Sequence, residues 1–200
     1  MVEFSLFEGN SSQLEDELAH GRVDLIICFQ PIMLEGVEVI PLTEDRLFLV
    51  VPRHFTDQIF GERAEEMRSQ YIEQGADINV FRNMPFILLK RGNRVRNIVD
   101  QYLSRSDFKP KIALETENTV TTLAMAKADL GIVICPELFL QDIHVPAAQV
   151  EEKELDLFPL RDHSANLVAG YRRDRYISHF AERFVSILQE VLRETNSTRQ

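Results

Sequence analysis

Apolar positions along the chain follow two spacings, one fitting strands and one fitting helices, and they alternate from start to end. In residues 2–7 the apolar Val2, Phe4 and Leu6 enclose polar Glu3 and Ser5, which predicts a strand. A Gly9-Asn10-Ser11-Ser12 turn follows. Ser12 with Glu15 has the spacing of a capping box, for a short helix that places Leu14 and Leu18 on one face and ends at Gly21. Residues 23–28 are too apolar for a half-exposed strand and read as a buried parallel one. Together these make one βαβ unit. Strands are predicted next at 37–40 and 47–51, the second closed by Pro52, which has no N–H to give a sheet. Residues 57–74 read as helical, with Ile59, Met67 and Tyr71 as sparse apolar positions and the charges from Glu62 to Arg68 as a solvated face.

The second half repeats the logic. Residues 86–89 form a buried strand, the loop 90–94 follows, and Val95, Ile98, Val99, Tyr102 and Leu103 then hold helical spacing. A strand at 111–116, a helix at 119–128 and a strand at 130–135 ended by Pro136 come next. The chain closes with a strand at 166–171 and an amphipathic helix striped by Ile177, Phe180, Phe184, Ile187, Leu188 and Val191. Residues 2–28 and 110–136 share this plan at a constant offset. Phe4 and Ile112, Leu6 and Leu114, Asn10 and Asn118, Ser11 and Thr119, and Ile26 and Ile134 are all 108 positions apart. That echo predicts two lobes built on related units, with a cleft for a small ligand. In each copy an Asn stands at a helix start. Asn10, Ser12 and Asn118 are either caps alone or caps at helix ends that also attract an anion.

Charge narrows the class. Asp and Glu outnumber Lys and Arg by 32 to 22, for a net −10, so this segment is a poor candidate for gripping a nucleic-acid backbone by itself. Cys28 and Cys135 lie far apart in apolar runs, as small buried hydrophobes of a reduced, cytoplasmic protein do. No stretch is long and apolar enough for a membrane span, no His pattern suggests a metal site, and neither a cofactor nor a catalytic constellation is expected.

Four fragments in order carry a resemblance. Residues 18–27 (Leu18, Gly21, Asp24, Leu25, Ile26), 42–54 (Leu42, Glu44, Leu47, Leu49, Val50, Pro52, His54), 85–92 (Pro85 to Leu89, then Gly92) and 123–136 (Leu123, Ala124, Leu130, Gly131, Ile132, Pro136) resemble the effector domains of LysR-type transcription regulators. The resemblance implies an α/β chain with a two-lobed type II periplasmic-binding-protein-like fold, each lobe a mixed, mostly parallel sheet flanked by helices. Its first lobe would comprise residues 1–51 and 144–200 and its second 52–143, with crossovers near 51–52 and 142–145. Its function would be binding a small metabolite in the cleft and shifting the regulator's conformation, as a homodimer; that the metabolite is anionic is expected from Lys90, Arg91, Arg94 and the helix starts alone. DNA would be contacted only through an N-terminal winged helix-turn-helix, which is not in this chain. The domain's usual first strand and helix also lack a counterpart here, and the stretch from 55 to 83 is longer than usual.

By the same resemblance the effector would be lined by Phe29 and Gln30 on one side, by Lys90, Arg91, Gly92, Asn93 and Arg94 and the helix start Asn118-Thr119 on the other, with Pro136 and Glu137 close by. Lys90, Arg91 and Arg94 in a Gly-containing loop before a helix suit a carboxylate or phosphate cradle, and equally a solvated basic loop. Asn93 reads as the cap of the following helix or as a ligand contact. A metabolic enzyme of the same broad fold and a transporter's solute-binding protein are the alternatives. Neither a dehydratase nor a phosphoribose-binding motif supports the first, and no secretion signal supports the second.

Overall fold

The computed structural model describes residues 4–144 and 155–197. Among the described residues six helices and six strands, with three short 3-10 segments, follow in chain order: α1 (Ser11–His20), β1 (Ile26–Phe29), β2 (Val37–Pro52), α2 (Arg53–Phe60), α3 (Ala64–Gln74), β3 (Pro85–Leu89), α4 (Arg94–Arg105), β4 (Lys111–Thr116), α5 (Thr119–Lys127), β5 (Val133–Pro136), β6 (Leu155–Arg172) and α6 (His179–Ser197). One sheet has the order β1-β6-β2-β5 and a second pairs β3 with β4. Two compact units divide the chain, Met1–Glu44 with Ala165–Gln200, and Asp45–Ser164.

These divides differ from the expected 51/52 and 143/144. The reason lies in two long strands. The predicted strands at 37–40 and 47–51 are one, β2, whose segment Leu47–Val50 pairs antiparallel with β5 of the second unit. Likewise the strand predicted at 166–171 is the end of β6, which starts at Leu155. Of the expected crossover at 142–145, Val145 lies outside the described residues.

In the first unit α1 is capped by Asn10, whose side chain accepts from Gln13 N–H at 3.0 Å while Gln13 returns a bond to the Asn10 N–H. The predicted box of Ser12 and Glu15 is therefore displaced by two positions. Ser12 is inside the helix, and the buried Glu15 instead accepts from the Met33 N–H at 3.0 Å. Gly21 ends α1 as expected, with φ 69° and no room for a Cβ beside the Arg175 guanidinium. Leu18, Ile26 and Cys28 form the buried core of this unit. β1 is antiparallel to β6 (Ile26 opposite Gly170), not parallel. An unbroken apolar run reports burial on both faces and says nothing of the direction of its neighbour.

The predicted strand at 2–7 does not form in its described part. Val2 and Glu3 lie outside the described residues, and residues 4–10 have no regular structure, with Phe4 73% and Leu6 86% exposed. Alternation provides an apolar face, but a strand also needs a ladder partner, and the described residues place none beside Phe4–Leu6. Its echo, Ile112–Leu114, has one: β4 runs parallel to β3, with Ile112 opposite Phe86. The rest of the echo holds. Asn10 and Asn118 each cap a helix, and Ile26 and Ile134 each lie in a short strand antiparallel to a long one. On α6, Val185 and Leu192 are buried, whereas Phe180, Phe184, Ile187 and Val191 of the predicted stripe are exposed.

In the second unit Val50, Ile87, Leu123, Ala126, Val133 and Cys135 make one core. Beyond it, α2 and α3 fill the long stretch after Pro52. Here the predicted solvated face fails at one residue. Arg68 is 7% exposed and donates to Asp156 at 2.9 Å, to Glu65 at 3.0 Å and to Asp57. Burial alone would depress its pKa, but the bonds to Asp57 and Asp156 more than reverse that and hold it charged. Ala64, Arg68 and Tyr71 form the buried stripe of α3, and Tyr71 meets Phe158 edge-on at 5.5 Å. An Arg at an inward position of a charge-rich helix cannot be told from its solvated neighbours until the buried Asp156 is seen.

Candidate functional site

The expected cation loop leaves the carboxyl end of β3. Lys90 N–H donates to Thr116 carbonyl at 2.7 Å, extending the parallel ladder one step past Leu89. Gly92 turns the chain at φ 93°, where a side chain would be strained. Asn93 then caps α4, its Oδ1 accepting from Val95 N–H at 2.9 Å. The neighbouring loop leaves β4 and ends in Asn118, whose Oδ1 accepts from Val120 N–H at 2.7 Å and Thr121 N–H at 3.4 Å, capping α5. Asn93 Nδ2 also donates to the Glu117 carbonyl at 3.4 Å, tying the two loops together. Two helix starts therefore stand side by side at the carboxyl ends of two parallel strands. Open α/β sheets offer ligands that same edge.

Of the three predicted cations, Lys90 and Arg91 are exposed and Arg94 is buried in the first turn of α4. Thr119 is buried as well. Lys90 Nζ meets Glu117 Oε1 at 2.8 Å, and this bond raises the lysine's pKa and lowers the carboxyl's. The predictions at Asn93 and Asn118 as caps are met by geometry. Replacing either by Ala is expected to cost about 1 kcal/mol, read as a shifted urea midpoint, and Asp in its place should retain most of that.

The remaining predicted residues lie in β1 and β5 and directly after them. Phe29, in β1 of the first unit, is buried opposite Leu167, and the Gln30 N–H donates to the Asn166 carbonyl at 2.9 Å. Pro136 closes β5 opposite Leu47. Glu137 is held by a two-pronged pair with Arg46, both contacts at 2.9 Å, while the buried Asp45 accepts from the Leu138 N–H. That carboxylate is already committed to fastening the segment after β5. Cys135 is buried, and burial, aided by Asp45, pushes its thiol pKa up, away from the reactive thiolate. Among the described residues no cluster of His, Cys, Asp or Glu is placed to hold a metal, and no helix is long and apolar enough to cross a membrane.

Two residues escaped the sequence reading. Glu117 precedes a cap residue, where an acidic side chain looks like a favourable neighbour of a helix start rather than a partner for Lys90. Arg96, almost fully buried, donates to the Leu89 carbonyl, to Glu115 at 2.6 Å and to Asp100 at 2.8 Å. It fixes the last residue of β3 against β4 and α4, and so sets where the Lys90 loop begins. Its position beside Val95 on an amphipathic helix carries no signal of this.

Solved structures first define the class. The regulatory domain of Synechocystis PCC6803 CcmR in complex with 2-PG superposes with a TM-score of 0.67 at 14% identity, covering 91% of this chain and 79% of that one. The effector-binding domain of QuiR in complex with shikimate gives 0.69 at 18% identity, covering 93% and 79%. The fold is the expected type II periplasmic-binding-protein-like one. Residues 1–193 match the LysR substrate binding domain, and the chain belongs to that family. Among curated relatives, the uncharacterized HTH-type transcriptional regulator YcgK of Bacillus subtilis is 29% identical over 202 residues, 97% of this chain and 59% of that protein. YybE of the same organism, also an HTH-type regulator, is 25% identical over 90% of this chain and 59% of its own length. The chain thus spans about 59% of the length of these relatives.

Proposed function

We propose that this chain senses a small anionic metabolite for a LysR-type transcription regulator, and that Lys90, Arg91 and the helix starts at Asn93 and Asn118 hold the anion. The observation carrying this reading is the convergence of exposed cations and two capped helix starts at the ends of β3 and β4. Backbone N–H groups and the helix dipole favour negative charge there, and a lysine adds a charge-assisted bond. That two structural neighbours carry 2-PG and shikimate supports the ligand class. Binding without turnover is the proposed activity, in a cytoplasmic homodimer that reaches DNA through a winged helix-turn-helix of the whole protein. The exposed stripe of Phe180, Phe184, Ile187 and Val191 on α6 supplies apolar surface for a second copy.

Thermal-shift screening of carboxylates, amino acids and phosphorylated sugars tests the ligand class. A true effector at a hundred times its Kd should add about 2.7 kcal/mol of stability. Lys90→Met should then weaken binding by about tenfold, the lower range for a charge-assisted hydrogen bond. Stabilisation by cations or apolar compounds alone counts against the reading.

A further inference from the structure

We infer that Glu117 is a built-in competitor for the Lys90 loop, and that this competition sets an affinity threshold which ligands with a second anionic anchor clear and single carboxylates do not. The inference rests on the reading of that loop as an anion site. Lys90 Nζ and Glu117 Oε1 are 2.8 Å apart with side chains 56% and 77% exposed, an arrangement of a kind that is weak and readily exchanged in water. The main chain of Glu117 is by contrast held in place. Its carbonyl accepts from Asn93 Nδ2, and the next residue, Asn118, caps α5. A carboxylate is thus tethered at the ammonium group while its side chain keeps the freedom to leave.

An incoming monocarboxylate would replace one oxygen anion on Lys90 with another. It gains no new bond there and loses translational freedom on binding, which the tethered carboxylate does not. A ligand with a second anionic group can displace Glu117 and also reach the exposed Arg91 or a backbone N–H. Glu117 therefore acts as a threshold, charging every ligand the same displacement and leaving a net gain only to those with further anchors. The strength of an exposed pair sets the size of the effect: freeing Lys90 should tighten binding about two- to six-fold.

Isothermal titration of the full chain at low ionic strength tests this with citrate as the polyanion and acetate as the monoanion, in wild type, Glu117→Gln, Lys90→Met and the double variant. Glu117→Gln should bind citrate about two- to six-fold tighter, and acetate by the same factor, so that weak acetate binding rises towards detection while the ratio between the two is unchanged. The gain should vanish in the Lys90→Met background, since a competitor acts only through the group it occupies. If wild type binds citrate through Lys90 but Glu117→Gln leaves the affinity unchanged, the inference is wrong. It is equally wrong if the full gain persists without Lys90, which would mark a long-range field instead. If citrate binds no variant, or Lys90→Met binds it as well as wild type, the anion-site reading itself falls.

Discussion

Arg68→Met is expected to destabilise the protein by about 3–5 kcal/mol, the cost of leaving a buried carboxylate without its countercharge. Asp156 is 9% exposed, and the Arg68 Nε lies 2.9 Å from it. Removing the guanidinium strands that group, while Glu65 and Asp57, both exposed, simply return to water. At this chain length each kcal/mol lowers the thermal midpoint by roughly 2–4 °C. Scanning calorimetry should therefore show a drop well outside error. The paired variant Arg68→Met with Asp156→Leu should regain most of the loss, because hydrophobic replacement of a whole buried pair is often neutral. A single-variant cost below about 1 kcal/mol would equal that of a surface pair. Water would then be reaching Asp156, and the buried ion pair would not be a stabilising feature.

Phe158→Ala should cost a similar amount, about 3–5 kcal/mol, through the cavity it opens. Phe158 and Phe81 are fully buried with ring centres 6.4 Å apart, and Tyr71 packs edge-on against Phe158. Phe158→Leu fills more of that volume and should lose less. Asp156 and Phe158 lie two residues apart on one face of β6, and their partners Arg68 and Tyr71 lie three apart on one face of α3. The two substitutions act on the same contact between helix and strand. A double-mutant cycle between them should give a coupling of about 0.5–3 kcal/mol. Strict additivity would mean that α3 keeps its seat when either partner is lost.

Periodicity located most elements because it reports burial, and burial follows from the side chains alone. The stripe of Val95, Ile98, Val99, Tyr102 and Leu103 is buried on α4 as its spacing requires, and Phe86 to Leu89 are buried along β3. What the pattern could not supply was pairing. Residues 26–29 read the same whether their neighbour runs parallel or antiparallel, and the apolar alternation of Phe4 and Leu6 looks the same with a partner or without one. The site was legible in its caps, since Asn93 and Asn118 act through bonds within their own turns. It was hidden in its long-range partners. Lys90 finds Glu117 across 27 positions and Arg46 finds Glu137 across 91, and no local spacing marks either pair.

The two long strands have a kinetic consequence. Asp45–Ser164 is one uninterrupted stretch, whereas the first unit must draw on both ends of the chain. Its ladder joins Ile26 to Gly170, roughly 140 residues apart, so closing it costs far more chain entropy while the intervening segment is uncoiled than after it has condensed. Folding is thus expected to begin in the middle of the sequence, with β1 and β6 zipping last. In pulsed hydrogen exchange during refolding, the amides of Leu88 and Val99 should gain protection before those of Ile27 and Val168. During synthesis on a ribosome, β1 would wait for roughly 140 further residues to emerge before its partner strand is made.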